Sequence, residues 1–130
     1  MQFDHIPVDV KQFIVSHINS IEQLEILVLL TESKRAWSVT DLADKICTTV
    51  DSAKNRIESL KSAGLVSVSP VNPQAYVYQP RTHEVDAMVA NLLKEYRERR
   101  ISIINFIYSQ PIQNIRTISD AFRLRPPEKE

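Results

Sequence analysis

The chain has one glycine, one cysteine and no surplus of either charge in its 130 residues, and each shortage removes a class of function. A phosphate-cradling loop needs several residues free to adopt positive φ or to let backbone approach a phosphate closely. A single glycine therefore excludes the glycine-rich nucleotide sites. The lone Cys47 excludes an internal disulfide and every multi-cysteine zinc pattern, which suits a reducing cytoplasm; it is expected to be a small buried apolar side chain between two helices. No stretch reaches the roughly 20 uncharged apolar residues of a membrane span, and the N-terminus lacks a basic segment followed by an apolar run. A cytosolic protein without membrane attachment is expected. Sixteen basic and sixteen acidic residues cancel, so overall charge lends no support to a nucleic-acid partner.

What is present is enough apolar content, 43%, to bury one core without staples. After Pro7, the spacing of Val10, Phe13, Ile14, His17 and Ile18 predicts a helix over about residues 7–18. His17 reads as a satisfied core residue, and His5 and His83 lie too far away in sequence to suggest a metal site with it. Neither metal nor cofactor is expected. Ser20 followed by Gln23 makes a capping box for a second helix, carrying Ile21, Leu24, Leu27, Val28 and Leu30, that is apolar almost all round and belongs at the core's centre.

Trp37, Ser38 and Val39 suit a short extended segment, with Thr40 capping a third helix that bears Leu42, Ala43 and Ile46. Thr49 caps a fourth, with Val50, Ala53, Ile57 and Leu60 inward until Gly64 ends it. Two short helices so closely joined are a helix-turn-helix. The strand-like runs 65–69 and 75–79, on either side of a turn from Pro70 to Gln74, form a hairpin that is the candidate wing.

From Thr82 a single long helix is predicted, with Val85, Val89, Leu92, Tyr96, Arg99 or Arg100, Ile103 and Phe106 stepping by fours and threes to Ser109 and Pro111. About 27 residues would span about 40 Å, too long for one small domain to cover. A homodimer interface of Val85, Met88, Val89, Leu92, Tyr96 and Ile103 is expected; the alternative folds the extension onto the chain's own first helix. A last short helix would carry Ile112, Ile115, Ile118 and Phe122. The fold class is mainly α with a small β-hairpin wing, a winged helix-turn-helix over residues 1–80 followed by a C-terminal helical extension over 81–130.

The stretch LADKICTTVDSAKNRIESLKSAGLV, residues 42–66, resembles the helix-turn-helix of bacterial winged-helix regulators of the MarR and PadR type. Leu42 and Ala43 open the positioning helix and Ile46 closes it. Thr49 caps the recognition helix, which Ala53, Ile57 and Leu60 anchor, and Ala63-Gly64-Leu65-Val66 turns into the wing. The whole chain, especially YRERRISIINFIYSQPIQNIRTISDAFRLR, is similar to a group of small proteobacterial winged-helix proteins. The resemblance implies a sequence-specific regulator of transcription that binds double-stranded DNA, and it carries over no ligand and no catalytic residue.

With the apolar stripe inward, Asp51, Ser52, Asn55, Glu58, Ser59 and Ser62 face outward, Lys54 and Lys61 take one edge and Arg56 the other. Asn55 can pair bidentately with adenine, Ser52 serves several base edges, Glu58 accepts from cytosine, and the lysines reach phosphates. Thr49, Asp51, Ser52, Lys54, Asn55, Arg56, Glu58 and Lys61 are thus the candidate DNA contacts. Two features oppose this. The wing from Val66 to Gln79 has no lysine or arginine, leaving only Asn72, Gln74 and nearby Arg81, whereas wings that track phosphates commonly use basic side chains. Residues 1–80 also hold seven basic against nine acidic side chains. These favour the alternative, a winged-helix adaptor that binds a protein partner through its acidic face or through LLKEYRERR, whose charges otherwise read as a salt-bridged helix surface. An enzyme is not expected, since no nucleophile stands with a base and an orienting acid at a recognisable spacing.

Overall fold

In the computed structural model, which describes residues 5–110, apolar spacing and capping set the order of elements. They run α1 (Val8–His17), α2 (Ile21–Ser33), β1 (Trp37–Ser38), α3 (Val39–Ile46), α4 (Val50–Ser62), β2 (Val66–Val68), β3 (Ala75–Tyr78), α5 (His83–Glu98) and α6 (Arg100–Tyr108). The segment with Ile112, Ile115, Ile118 and Phe122 lies outside the described residues. α2 is the centre of the core, with Leu24, Ile26 and Leu27 fully buried. Its cap is half of the predicted box. The Ser20 hydroxyl accepts from the Gln23 N–H at 3.0 Å, but the Gln23 amide oxygen accepts from Asn19 N–H at 2.7 Å and its NH₂ donates to the His17 carbonyl at 3.1 Å. The buried Gln23 thereby ties the end of α1 to the start of α2. His17 is half-buried and stacks on Phe13 at 4.4 Å.

The cap of α3 is Ser38 and not Thr40. Ser38 ends β1 opposite Ala75 of β3, which leaves it in the extended backbone (φ −75°, ψ 160°) that a cap requires. Its hydroxyl accepts from Asp41 N–H at 3.1 Å, while Thr40 is an exposed residue within the first turn. At the other end of α3, Cys47 closes the helix in the left-handed region at φ 61°, a position that turns the side chain outward. It is exposed, correcting the buried cysteine expected from sequence. Thr49 caps α4 as predicted, accepting from Ser52 N–H at 3.0 Å. Val50 departs from the inward stripe: it is 49% exposed, because at the first helical position no preceding turn covers it. Gly64, at φ 82°, supplies the left-handed turn into the wing that an L side chain resists.

The sheet has the order β1-β3-β2, antiparallel throughout, with Val66 opposite Tyr78 and Val68 opposite Tyr76. The wing is joined to the extension by the Tyr78 hydroxyl, which donates to Asp86 of α5 at 2.7 Å.

The extension is not one helix. It breaks at Arg99 (φ −137°, ψ 54°), which ends α5 and starts α6 at once. The guanidinium of Arg99 turns back to the buried Glu95 carboxylate at 2.7 Å, and the break swings Ile103, Phe106 and Ile107 into the core formed by the rest of the chain. The same fold covers the residues expected at a dimer interface. α5 packs on α1, Val89, Leu92, Tyr96 and Ile103 are all buried within the single chain, and Val85 and Met88 lie half-buried against the same core. Among the described residues no single helix is long and apolar enough to cross a membrane. α1 and α2 would suffice only together, and they are bent by 106°.

Candidate nucleic-acid interface

Fixing α4 needs one buried stripe, and Ala53, Ile57 and Leu60, none of them accessible, provide it. The opposite face is then set by helical geometry. Asp51, Asn55 and Ser62 are exposed along it, with Glu58 partly so, and Asn55 stands near the middle, taking no part in the hydrogen bonds of the helix edges described below.

The two edges of this strip are not free. Toward α2, the Glu22 carboxylate accepts from the Thr48 hydroxyl at 2.6 Å, from the Ser52 hydroxyl, and from Arg56 Nε at 3.2 Å. The hydroxyl donors, Ser52 first, hold the Glu22 carboxyl below its ordinary value, with Arg56 adding its charge. Toward the wing, the Tyr76 hydroxyl of β3 donates to Glu58 Oε2 at 2.7 Å and accepts from Lys54 Nζ at 3.4 Å, and Lys54 also stands 3.6 Å from Glu58. Tyr76 thus lowers the Glu58 carboxyl and is itself raised by it, while the hydrogen bond to Tyr76 raises Lys54.

Of the eight residues predicted to touch DNA, Asp51, Asn55 and Lys61 are exposed on α4, and Thr49 is exposed but serves as the cap. Ser52 and Arg56 are engaged by Glu22, and Lys54 and Glu58 by Tyr76. Neither Glu22 nor Tyr76 was singled out from sequence. Each lies on another element, at 34 residues from Arg56 and 18 from Glu58, and an acid in the first turn of a helix is explained well enough by the helix dipole.

The hairpin projects an uncharged tip, with Val71 89% exposed. Arg81 does not serve that tip. Its backbone N–H donates to the Gly64 carbonyl at 2.8 Å, and its guanidinium lies over Gly64 at the wing's foot, where a Cβ on residue 64 would meet it at 2.7 Å. Among the described residues no group of three or more histidine, cysteine and acidic side chains is placed to hold a metal ion.

The fold is shared with solved structures. A MarR-family transcriptional regulator from Rhodococcus sp. RHA1 superposes with a TM-score of 0.50 at 14% identity, over 87% of this chain and 79% of that one. The multiple antibiotic-resistance repressor (MarR) of Listeria monocytogenes gives 0.51 at 16%, over 87% and 78%. A mutant MepR of S. aureus bound to an oligodeoxyribonucleotide gives 0.50 at 13%, over 86% and 83%. At such identities the likeness is one of fold, the winged helix of MarR-type regulators. No protein-family model and no curated protein matches the sequence.

Proposed function

We propose that the chain is a cytosolic, sequence-specific DNA-binding regulator of transcription that reads the major groove with the exposed strip of α4. The observation that carries this reading is the strip itself. A face centred on Asn55 is left open while both of its edges are held, by Glu22 on one side and Tyr76 on the other, and a held helix with an open polar face is what direct readout requires. The fold shared with a DNA-bound MepR supports it. Asn55 is assigned to a base edge and Lys61 to a phosphate, with Asp51 beside them. Two copies would present two such helices to a palindromic site. Since α5 and α6 already bury most of their apolar stripe in the chain, the pairing surface would centre on Ile101 and Tyr108, 67% and 70% exposed.

Selection from random duplexes at about 0.15 M salt tests the reading. A motif should enrich, and Asn55→Ala should relax preference at one base position by about 1–3 kcal/mol. Failure to enrich any motif with folded protein would remove it in favour of the adaptor, which the uncharged wing tip and its exposed Val71 suit.

A further inference from the structure

We propose that Glu22 withholds Arg56 and Ser52 from DNA, so that recognition by α4 is kept dependent on sequence and not on generic attraction to phosphate; the inference rests on the reading of α4 as the DNA-contacting helix.

The geometry concerns the edge of α4 that faces α2. Three donors there, the hydroxyls of Thr48 and Ser52 and the Nε of Arg56, converge on one carboxylate. The pair is half-open to solvent, with 36% of the Arg56 side chain and 32% of that of Glu22 accessible, so it sits at the surface where a duplex lying along the strip would pass. Hydroxyl, amide and guanidinium donors at such an edge are the usual partners of backbone phosphates. Here the donors are directed to a carboxylate carried by the same chain, and their hydrogen bonds favour its charged form.

Charge decides the consequence. α4 carries Lys54, Arg56 and Lys61 against Asp51 and Glu58. With Lys54 beside Glu58 at 3.6 Å and Arg56 beside Glu22 at 3.2 Å, Lys61 is the cation of the helix for which no ion pair is formed within 4 Å among the described residues. Generic affinity scales with the number of phosphates neutralised, and the wing adds none. Glu22 therefore holds the helix in place by its first two turns and at the same time lowers its count of available cations.

Glu22→Gln separates these two roles, because the amide oxygen still accepts from the Ser52 hydroxyl and the amide NH₂, in place of the second carboxylate oxygen, donates to the hydroxyl oxygen of Thr48, while the charge that binds Arg56 is gone. Binding of a random-sequence 30-base-pair duplex is measured by fluorescence anisotropy across a salt series. For Glu22→Gln the slope of log affinity against log salt should steepen by about 0.9, and affinity at about 0.15 M salt should rise roughly fivefold, the gain of one added phosphate contact when that slope is extrapolated to 1 M. In an Arg56→Ala background the same substitution should give no gain. Arg56→Ala alone should leave the wild-type slope unchanged, whereas Lys61→Ala should reduce it by about one.

An equal gain in both backgrounds would mean only that a negative charge was removed, and would overturn the proposal. So would a slope reduced by Arg56→Ala alone, which needs no Glu22 variant to fold. If the wild type binds and Glu22→Gln binds identically, the proposal falls while the reading of α4 stands. If neither binds any duplex at any salt, both fall together.

Discussion

Replacing Tyr76 by phenylalanine removes one oxygen atom and leaves the ring, which is 95% buried in the core. What is lost is the 2.7 Å hydrogen bond to Glu58 and the 3.4 Å bond from Lys54. Hydrogen bonds to charged partners contribute about 1.5–3 kcal/mol when desolvated, but the Glu58 side chain is 44% exposed and water can take the place of the phenol. We therefore expect a loss of about 1 kcal/mol, which in a chain of this size moves the thermal midpoint by about 3–5 °C. The pH dependence gives a second signature. The Tyr76 hydroxyl is the first cause that lowers the Glu58 carboxyl below its ordinary 4.5. A carboxylate whose folded pKa is depressed contributes stability that is fully present above the ordinary value and is lost as pH falls through the folded one. The gap between wild type and Tyr76→Phe should accordingly be complete at pH 7 and close as the solution is acidified below 4.5. Thermal melts over a pH series measure it. Equal midpoints at pH 7, or a gap that persists unchanged after Glu58 is protonated, would refute the link between wing and helix.

Leu92→Ala should cost about 2–5 kcal/mol with the same loss in midpoint at all protein concentrations, since Leu92 is fully buried within the chain; an unchanged melt with lost self-association would place it at an interface between copies. Ser38→Ala should cost about 1 kcal/mol for the missing cap, whereas Thr40→Ala should stay within about 0.5 kcal/mol, and the reverse order in chemical denaturation would restore Thr40 as the cap. Cys47, exposed at the end of α3, should react with a thiol reagent in the folded protein, and Cys47→Ser should change stability by less than about 0.5 kcal/mol; a thiol that labels only after unfolding would contradict its placement.

What the sequence displayed was whatever repeats at short range. The fully buried Leu24, Leu27, Ile57 and Leu60 recur at helical spacing, Thr49 precedes its helix as a cap should, and Gly64 sits where only a left-handed turn could follow. Three errors come from structure that the apolar pattern does not record. Thr40 is as good a capping residue as Ser38, but pairing of β1 with β3 puts Ser38 in extended backbone. The four-three repeat of the extension is real, yet the link between Glu95 and Arg99 accompanies a break that the repeat spans without a mark. Cys47 lies between two helices, which suggested burial, and its left-handed backbone turns it outward.

The candidate site was half legible for the same reason. Helical geometry alone put Asn55 on the outward face and assigned Lys54 and Arg56 to opposite edges, as the structure has them. It could not show that both edges are occupied, because the occupants come from α2 and β3 and are not distinguished by spacing. That difference changes the functional argument. A list of outward polar residues treats all eight side chains as available to DNA, whereas the folded chain gives Ser52 and Arg56 to Glu22 and Lys54 and Glu58 to Tyr76. On the proposed function, base reading would then be concentrated on Asn55 and its exposed neighbours, and generic phosphate attraction on Lys61. A slightly acidic domain with an uncharged wing is consistent with such a division, because specificity is a difference between affinities and grows when the sequence-independent part is kept small.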